Sequence, residues 1–376
     1  FFCYFTHFLD NMQNSFVLGE QPQWIGIENC TEQPIELIEE LLKDPIVSLI
    51  ERGYAVVELQ ESIINCYSDF HSIWEEWTSN NLEMKSKYAI YQFGEDNNRT
   101  PNQYHGFSVV DKLKEQFMIR AGGKNAILPT PGVLPNCGKN FGDISLSLLI
   151  HCDRTCRNYI SQVLKRLNLP KSNLDNILDP VMSRCKNIIS RNNNTETSYS
   201  NYLPDEYISS SIMDNFHYFN HFQQDGDTDE RFINNHGSHT DSGLMTLVVC
   251  TDVPGLEVKD QKLDCWISLE QMLHQYAKEK QVNHRKYATI FWGDSCEYLD
   301  KTGQCKLNPS FHRVAQCKGE RYSVVFKQRT CVCKTAPRYQ EDYHLAVKQM
   351  KIIDSLESKR KKLVILLAVV IVFSTC

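Results

Sequence analysis

The chain has 376 residues, with 40 lysines and arginines against 46 aspartates and glutamates, and therefore a formal net charge of −6. Apolar residues make up 41% of it and aromatic residues 11%, which excludes a disordered or collagen-like chain because that much apolar surface supports a core. A mildly acidic chain also lacks the basic surface that nucleic-acid binding needs, so we expect no nucleic-acid partner.

Helices dominate the first half of the chain. The spacing of apolar residues and the β-branched runs predict, in chain order, a helix over 34–50 that Pro45 interrupts, a strand over 54–59, and helices over 62–80 and 143–169. Trp74 and Trp77 lie on the apolar stripe of the third element, which we interpret as core packing rather than a cofactor site. The polar, asparagine-rich stretch over 186–205 predicts a surface loop.

Short β-rich runs follow one another in the second half, and strands at such spacing are typical of a sandwich or jelly roll. The predicted strands are Thr246–Cys250, Gly255–Val258, Trp266–Leu269, Tyr287–Phe291, Phe311–Val314 and Tyr322–Phe326. The polar segment Glu270–Arg285 interrupts them and predicts a helical insertion, while Tyr339–Glu357 predicts a final amphipathic helix.

The cysteines do not form a disulfide framework in this interpretation. There are 15 of them, scattered along a long chain without a CxxC pair or a zinc-type spacing. We therefore expect most of them to be reduced, small buried apolar residues in a reducing compartment, which favours the cytoplasm.

The two ends of the chain are interpreted separately from the rest. Residues 1–22 are an uncertain N-terminal tail in which Met12 is the first plausible start. At the other end four basic residues, 359–362, precede an apolar run over 363–373 that is shorter than the ~20 residues of a bilayer-spanning helix. Residues 363–376 are therefore either a membrane anchor or a product of reading beyond the true end of the gene.

The most informative segment for chemistry contains His239 and Asp241. Two residues apart on a strand, both side chains point to the same face, so an imidazole and a carboxylate can bind adjacent positions of one metal. His312 is the candidate third ligand, from another strand. Two histidines and one carboxylate on one face of a metal leave open positions, as in non-haem iron(II) oxygenases.

A candidate carboxylate anchor lies nine residues beyond His312. Strand alternation puts Arg321 and Ser323 on one face, and a guanidinium fork beside a hydroxyl suits a carboxylate. A metal triad with such an anchor describes a site for a 2-oxo acid cosubstrate. Other polar residues are interpreted without a catalytic role: His217 and His236 as structural or supporting, Asp294 as a turn residue, and Lys112, Lys114 and Lys124 as solvated.

The ordered series HTDSGLMTL, GLEV, WISL, FWGD, HRV and RYS resembles the isopenicillin N synthase-like branch of the iron(II)/2-oxoglutarate dioxygenases. ERGYAVVEL and YHGFSVVDKLKEQFMI resemble the cap region of the same family, so the resemblance covers roughly residues 23–330. HYFN at 217–220 corresponds to that family's Asn-Tyr-Tyr-Pro strand but lacks its Asn and Pro, and the insertion over 270–285 is longer than the family leads us to expect.

The resemblance implies a mainly β fold with α: a double-stranded β-helix (jelly roll) core with a helical N-terminal cap and a closing C-terminal helix. His239, Asp241 and His312 would be the iron ligands, Arg321 and Ser323 the anchor for the distal carboxylate of 2-oxoglutarate, and Tyr218 a wall of the cosubstrate site. The implied organisation is a tail over 1–22, a cap over 23–205, a catalytic core over 206–330, a helix with a basic end over 331–362, and the apolar tail over 363–376.

The implied activity is that of an iron(II)- and 2-oxoglutarate-dependent oxygenase, using O2, that hydroxylates, desaturates or cyclises a small organic molecule and releases succinate and carbon dioxide. One alternative is an oxidase like isopenicillin N synthase, which uses no 2-oxo acid. The other is a non-catalytic jelly-roll scaffold that binds zinc or a partner. We expect a cytoplasmic monomer, with a membrane contact only if residues 363–376 are an anchor.

Overall fold

Two main antiparallel sheets, a separate pair of strands, six α-helices and two short 3₁₀ helices are present in the described part of this computed structural model. The described residues are 34–80, 82–86, 91–93, 99–101, 106–109, 114–121, 141–171, 174, 177–179, 182, 209–219, 234–299, 307–315 and 319–330. The predictions for 1–22, 186–205, 331–362 and 363–376 lie outside these residues. Within them, no helix combines the length and the apolar character needed to cross a membrane.

The helices follow the predicted pattern closely. They are α1 Pro34–Lys43, α2 Pro45–Glu51, α3 Glu61–Thr78, α4 Leu82–Ser86, α5 Phe141–Arg166 and α6 Leu269–Lys280. Pro45 starts a new helix rather than continuing α1, because proline is favoured in a first turn and the side chain of Asp44 accepts a hydrogen bond from the Val47 amide. The predicted helix over 34–50 is therefore two helices.

A seven-stranded sheet forms the larger layer, in the order β1-β11-β8-β13-β6-β5-β4. Its strands are β1 Tyr54–Glu58, β4 Gly106–Val109, β5 Lys114–Ile119, β6 Ile212–Tyr218, β8 Met245–Val249, β11 Tyr287–Trp292 and β13 Arg321–Gln328. Every neighbouring pair is antiparallel. Three of these strands, β1, β4 and β5, come from the predicted cap over 23–205, and the other four come from the predicted core over 206–330. The sheet therefore spans the predicted boundary between cap and core, and that boundary stays a prediction.

A four-stranded sheet, in the order β10-β9-β12-β7, forms the second layer. Its strands are β7 Asn234–His239, β9 Leu256–Asp260, β10 Cys265–Ile267 and β12 His312–Ala315. A separate pair consists of β2 Tyr91–Phe93 and β3 Arg99–Pro101. The six predicted strands of the second half are present, but the run at 266–269 is wrong at its end, because Leu269 begins α6.

Aromatic side chains pack α3 onto the larger sheet. Trp74 stacks on Trp77 with ring centroids 5.3 Å apart, and Trp77 meets the edge of Phe117 on β5 at 4.8 Å. Both tryptophans are 1% exposed, so the interpretation of this stripe as core packing is confirmed. In the described part of the chain, four cysteines are free thiols and all four are buried: Cys152, Cys156, Cys250 and Cys296.

The expectation that Lys114 is solvated is wrong. Lys114 begins β5, which pairs with β4 on one side and β6 on the other, and its side chain is buried. The ammonium lies 5.7 Å from the ring of Tyr218 and 5.8 Å from the ring of Phe216 on β6, a distance at which cation–π attraction operates. Lys112 and Lys124 lie outside the described residues.

Candidate metal and carboxylate site

Two histidines from neighbouring strands lie side by side in the smaller sheet. His239 ends β7 and His312 begins β12, and the two residues are partners in the antiparallel register, with ring centroids 4.2 Å apart. Asp241 lies two residues past the end of β7 rather than on the strand, which corrects the expectation of strand alternation. Its carboxylate reaches the histidines because the chain turns there before entering β8.

The three side chains converge on one point. Nε2 of His239 lies 3.7 Å from Oδ1 of Asp241, and Nε2 of His312 lies 3.7 Å from Oδ2. One ligand atom from each residue lies within 4.8 Å of the other two. Two imidazole nitrogens and one carboxylate oxygen are the donor set that iron(II) oxygenases use, so these residues fit such a metal.

Hydrogen bonds orient both rings for metal binding. Nδ1 of His239 lies 2.8 Å from the carbonyl oxygen of Gly237, and Nδ1 of His312 lies 3.2 Å from that of Ser310. Because a carbonyl can only accept, each Nδ1 carries the proton and each Nε2 offers its lone pair to the cluster. Burial lowers the pKa of His312 to about 4, so its ring is neutral at neutral pH.

Asp241 is held as a buried carboxylate by two residues that the sequence did not indicate. The hydroxyl of Thr246 donates to Oδ2 at 2.7 Å, and the ammonium of Lys327 lies 3.2 Å from Oδ1. Burial raises the pKa of Asp241, but Lys327, His312 and His239 outweigh it, and the pKa lies well below its ordinary value. Lys327 lies on the same face of β13 as Arg321 and Ser323, so strand alternation could have placed it in the site. It was missed because the predicted strand ended at Phe326, one residue earlier.

The FWGD segment supports the turn that carries Asp241. The amide of Asp294 donates to the carbonyl of Asp241 at 2.8 Å, and the amide of Ser295 donates to that of Gly243 at 2.8 Å. A Cβ on Gly293 would lie 2.5 Å from the Gly243 carbonyl oxygen and 2.7 Å from that of Asp241, so only glycine fits there. Asp294 is the first residue of a 3₁₀ turn, and its contribution to this turn is the hydrogen bond from its backbone amide.

A cavity opens between the two sheets at this point. Besides the three candidate ligands, four residues of one face of β13 line it, together with side chains of β6, β8, β9, β11 and β12. The lining side chains outside the triad are Phe216, Tyr218, Val248, Leu256, Phe291, Val314, Arg321, Ser323, Val325 and Lys327. The predicted anchor residues therefore share one cavity with the candidate metal ligands.

Arg321 and Tyr218 face each other at one end of the cavity. They are register partners on β13 and β6, and the guanidinium carbon lies 5.2 Å from the phenol ring. Burial raises the pKa of Tyr218 to about 12, so its hydroxyl stays protonated at neutral pH. Ser323, which is 1% exposed, is the next residue on the same face of β13.

Arg321 has a buried partner that the sequence did not indicate. Nη2 of Arg321 lies 3.1 Å from Oε2 of Glu270, the second residue of α6, and both side chains are 1% exposed. Burial raises the pKa of Glu270, but Arg321 and the amides of Leu256 and Gly255 outweigh it, so the pKa lies below its ordinary value. The polar composition of 270–285 predicted the helix, but it gave no indication that the carboxylate of Glu270 is buried.

The remaining candidate histidines lie elsewhere. His217 points away from the cavity, with Nδ1 3.0 Å from Oε1 of Glu115 and Nε2 3.0 Å from Oε2 of Glu320. His236 lies on β7 opposite Val314. His217 is not part of the converging group, in line with its interpretation as structural or supporting, while the interpretation of His236 stays a prediction.

A second group of potential ligands comprises His71, Glu75 and Asp252. Asp252 is bound by Arg285, which ion-pairs with it, and by Nε2 of His284 at 2.8 Å. These contacts lower the pKa of Asp252 below its ordinary value, so the carboxylate stays charged. A cation at this point would face the guanidinium of Arg285, which makes it an ion-pair cluster rather than a metal site.

Comparison with known proteins gives matches among solved structures only. No protein-family model and no curated protein matches the chain. A full-length Neurospora crassa protein, crystallised in complex with alpha-KG (2-oxoglutarate), is 13% identical, with a TM-score of 0.50 over 82% of this chain and 82% of that chain. A second structure of it, with alpha-KG and 5-formyluracil, gives 13% identity and a TM-score of 0.50 over 82% and 83%.

The rice dioxygenase for auxin oxidation is 16% identical over 78% of each chain, with a TM-score of 0.45. The two Neurospora structures establish the fold of this chain: a mainly antiparallel jelly-roll core with helices, whose described strands do not close into a barrel. The predicted fold class is thus confirmed for the core, while the closing helix lies outside the described residues.

Proposed function

We propose that the chain is an iron(II)- and 2-oxoglutarate-dependent oxygenase that oxidises a small organic molecule. One observation carries the proposal: His239, Asp241 and His312 converge in the same cavity as Arg321 and Ser323. The first three residues offer an iron(II) donor set, and the other two offer a fork and a hydroxyl for a carboxylate. The fold shared with a protein crystallised with alpha-KG supports it.

Iron(II) held there would supply the activation of dioxygen, coupled to the conversion of 2-oxoglutarate to succinate and carbon dioxide and to oxidation of the substrate. The contribution of the protein is binding and orientation. The imidazoles of His239 and His312 and the carboxylate of Asp241 would hold the metal through one face, and Arg321 with Ser323 would bind the distal carboxylate of the cosubstrate.

The walls of the cavity fit a small organic molecule. Six apolar side chains line it beside the candidate ligands: Phe216, Val248, Leu256, Phe291, Val314 and Val325. Such walls exclude water from the reacting groups. The Neurospora protein holds 5-formyluracil in its own structure, and we extend only the class of small-molecule substrate to this chain.

An anaerobic titration tests the proposal. Iron(II) is added to the full chain, then 2-oxoglutarate, and we expect a visible charge-transfer band that Asp241→Ala abolishes. Asp252→Asn, which removes a carboxylate from the ion-pair cluster outside the cavity, serves as the control and should keep the band. If wild type binds iron(II) but shows no band on addition of 2-oxoglutarate, an oxidase that needs no 2-oxo acid is favoured. If wild type shows neither iron binding nor the band, a non-catalytic scaffold is favoured.

A further inference from the structure

The candidate carboxylate anchor contains a carboxylate of its own, Glu270. Oε2 of Glu270 accepts the amides of Gly255 and Leu256, each at 2.8 Å, and Nη2 of Arg321 lies 3.1 Å away. Oε1 accepts the amide of Thr251 at 3.2 Å. The hydroxyl of Thr251 lies 3.1 Å from Oε1 but is closer to the carbonyl oxygen of Val253, to which it donates at 2.8 Å. Four N–H donors therefore fix this carboxylate in place.

Glu270 approaches Arg321 from outside the cavity. Arg321 lines the cavity and Glu270, a described residue, does not. The turn after β8 lies directly against the arginine, since a Cβ on Gly255 would lie 3.1 Å from Nε of Arg321. The helix α6 thus delivers a negative charge behind the group that a ligand carboxylate would meet in front.

We propose that Glu270 sets the strength of the carboxylate anchor: its charge offsets that of Arg321 and holds the affinity for 2-oxoglutarate below that of an uncompensated buried arginine. The inference rests on the proposed function, because it takes Arg321 as the group that binds the distal carboxylate. Glu270 touches no ligand in this role and acts only through Arg321.

The sign of the effect follows from the cost of burying charge. Glu270 and Arg321 are both 1% exposed, and removing one partner of such a pair leaves an uncompensated charge in a site of low dielectric. Glu270→Gln keeps the shape of the side chain but leaves Arg321 in that state. A bound carboxylate then supplies the missing countercharge, so the variant should be less stable when free and bind 2-oxoglutarate more tightly.

A second buried pair provides a matched control. Oε2 of Glu257 on β9 lies 2.5 Å from Nε of Arg313 on β12, and both residues are less than 10% exposed. The guanidinium of Arg313 lies 4.3 Å from the ring of Trp266, and neither member of the pair lines the cavity. Glu257→Gln therefore breaks a similar ion pair without touching the anchor.

The test is calorimetric titration of 2-oxoglutarate into the full chain loaded with Co2+, together with the unfolding temperature of the free protein. We expect Glu270→Gln to lower the Kd for 2-oxoglutarate about tenfold or more and to lower the unfolding temperature. Glu257→Gln should lower the unfolding temperature and leave the Kd unchanged. An unchanged or raised Kd in Glu270→Gln overturns the inference.

Two further outcomes keep the inference and the proposed function apart. If wild type binds 2-oxoglutarate and the Kd of Glu270→Gln is not lower, only the inference fails; if neither protein binds 2-oxoglutarate, both fail. Should Glu270→Gln not fold, Glu270→Asp retains the charge but withdraws it by one methylene. Glu270→Asp should also lower the Kd for 2-oxoglutarate, and an unchanged Kd in this variant contradicts the inference.

Discussion

The ammonium of Lys327 lies 3.2 Å from Oδ1 of Asp241 and 3.3 Å from Oδ2 of Asp214. One cation thus bridges two carboxylates whose side chains are 4% and 5% exposed, and one of them is a candidate metal ligand. The same carboxylate, Asp241, therefore binds Lys327 in the free protein and would bind a metal at the candidate site.

Replacing Lys327 should separate these two uses. In Lys327→Met both carboxylates lose their countercharge, and we expect the free energy of unfolding of the metal-free protein to fall by about 3 kcal/mol. A divalent metal then restores part of the missing charge, so Co2+ should raise the unfolding temperature of this variant more than that of wild type. Lys327→Arg keeps the charge and should resemble wild type; a smaller Co2+ effect in Lys327→Met would contradict this account.

Gly293 should be intolerant of a side chain. Gly293→Ala puts a Cβ within 2.7 Å of the carbonyl oxygens of Asp241 and Gly243, so the turn that carries the candidate ligand must move. We expect about tenfold weaker Co2+ binding by calorimetry and a lower unfolding temperature. Gly237→Ala is the control, because among the described residues other than its chain neighbours no atom lies within 4 Å of its Cβ position. Equal Co2+ affinities in the two variants would refute the role of Gly293.

Arg321→Lys should separate cosubstrate binding from metal binding. The ammonium keeps the positive charge but loses the planar fork that fits a carboxylate, so we expect the Kd for 2-oxoglutarate to rise about tenfold or more. The Co2+ affinity should stay within about twofold of wild type, since Arg321 is not one of the converging ligands. Calorimetric titration of each ligand in turn checks both values. Parallel loss of both affinities would mean that the variant disturbs the whole cavity.

The ion-pair cluster at Asp252 should contribute stability that depends on pH. Hydrogen bonds from His284 and Arg285 lower the pKa of this carboxyl, so its contribution is present above its unfolded pKa of about 3.9 and is lost as the pH falls through the folded value. Asp252→Asn should therefore unfold at a lower temperature than wild type at neutral pH, by the equivalent of about 1 kcal/mol or less because the site is partly exposed. The difference should begin to shrink below about pH 4 and close only near the lower folded pKa, and a constant difference across pH would exclude this origin.

The candidate site was predictable where spacing along the chain carries the information. His239 and Asp241 are two residues apart, as are Arg321 and Ser323, and the structure brings these four together with His312 in one cavity. Their roles stay predictions. The route differs for Asp241, because a turn rather than strand alternation brings its carboxylate to the histidines.

Residues whose environment depends on distant parts of the chain were not predictable in the same way. Glu270 looked like one polar residue of an exposed insertion, but its partner Arg321 lies 51 residues further along the chain. Lys114 was expected to be solvated, yet its side chain is buried and its ammonium lies against the rings of Phe216 and Tyr218 on the neighbouring strand β6. Burial of this kind is decided by sheet order, which local patterns do not contain.

The most direct test of the central claim measures succinate. The full chain is loaded with iron(II) and supplied with 2-oxoglutarate and dioxygen, and succinate formation is followed in wild type, in Asp241→Ala and in the control Asp252→Asn. The account predicts succinate from wild type and the control, with at least about a hundredfold less from Asp241→Ala. Succinate at the same rate from all three proteins, or from none of them, would contradict it.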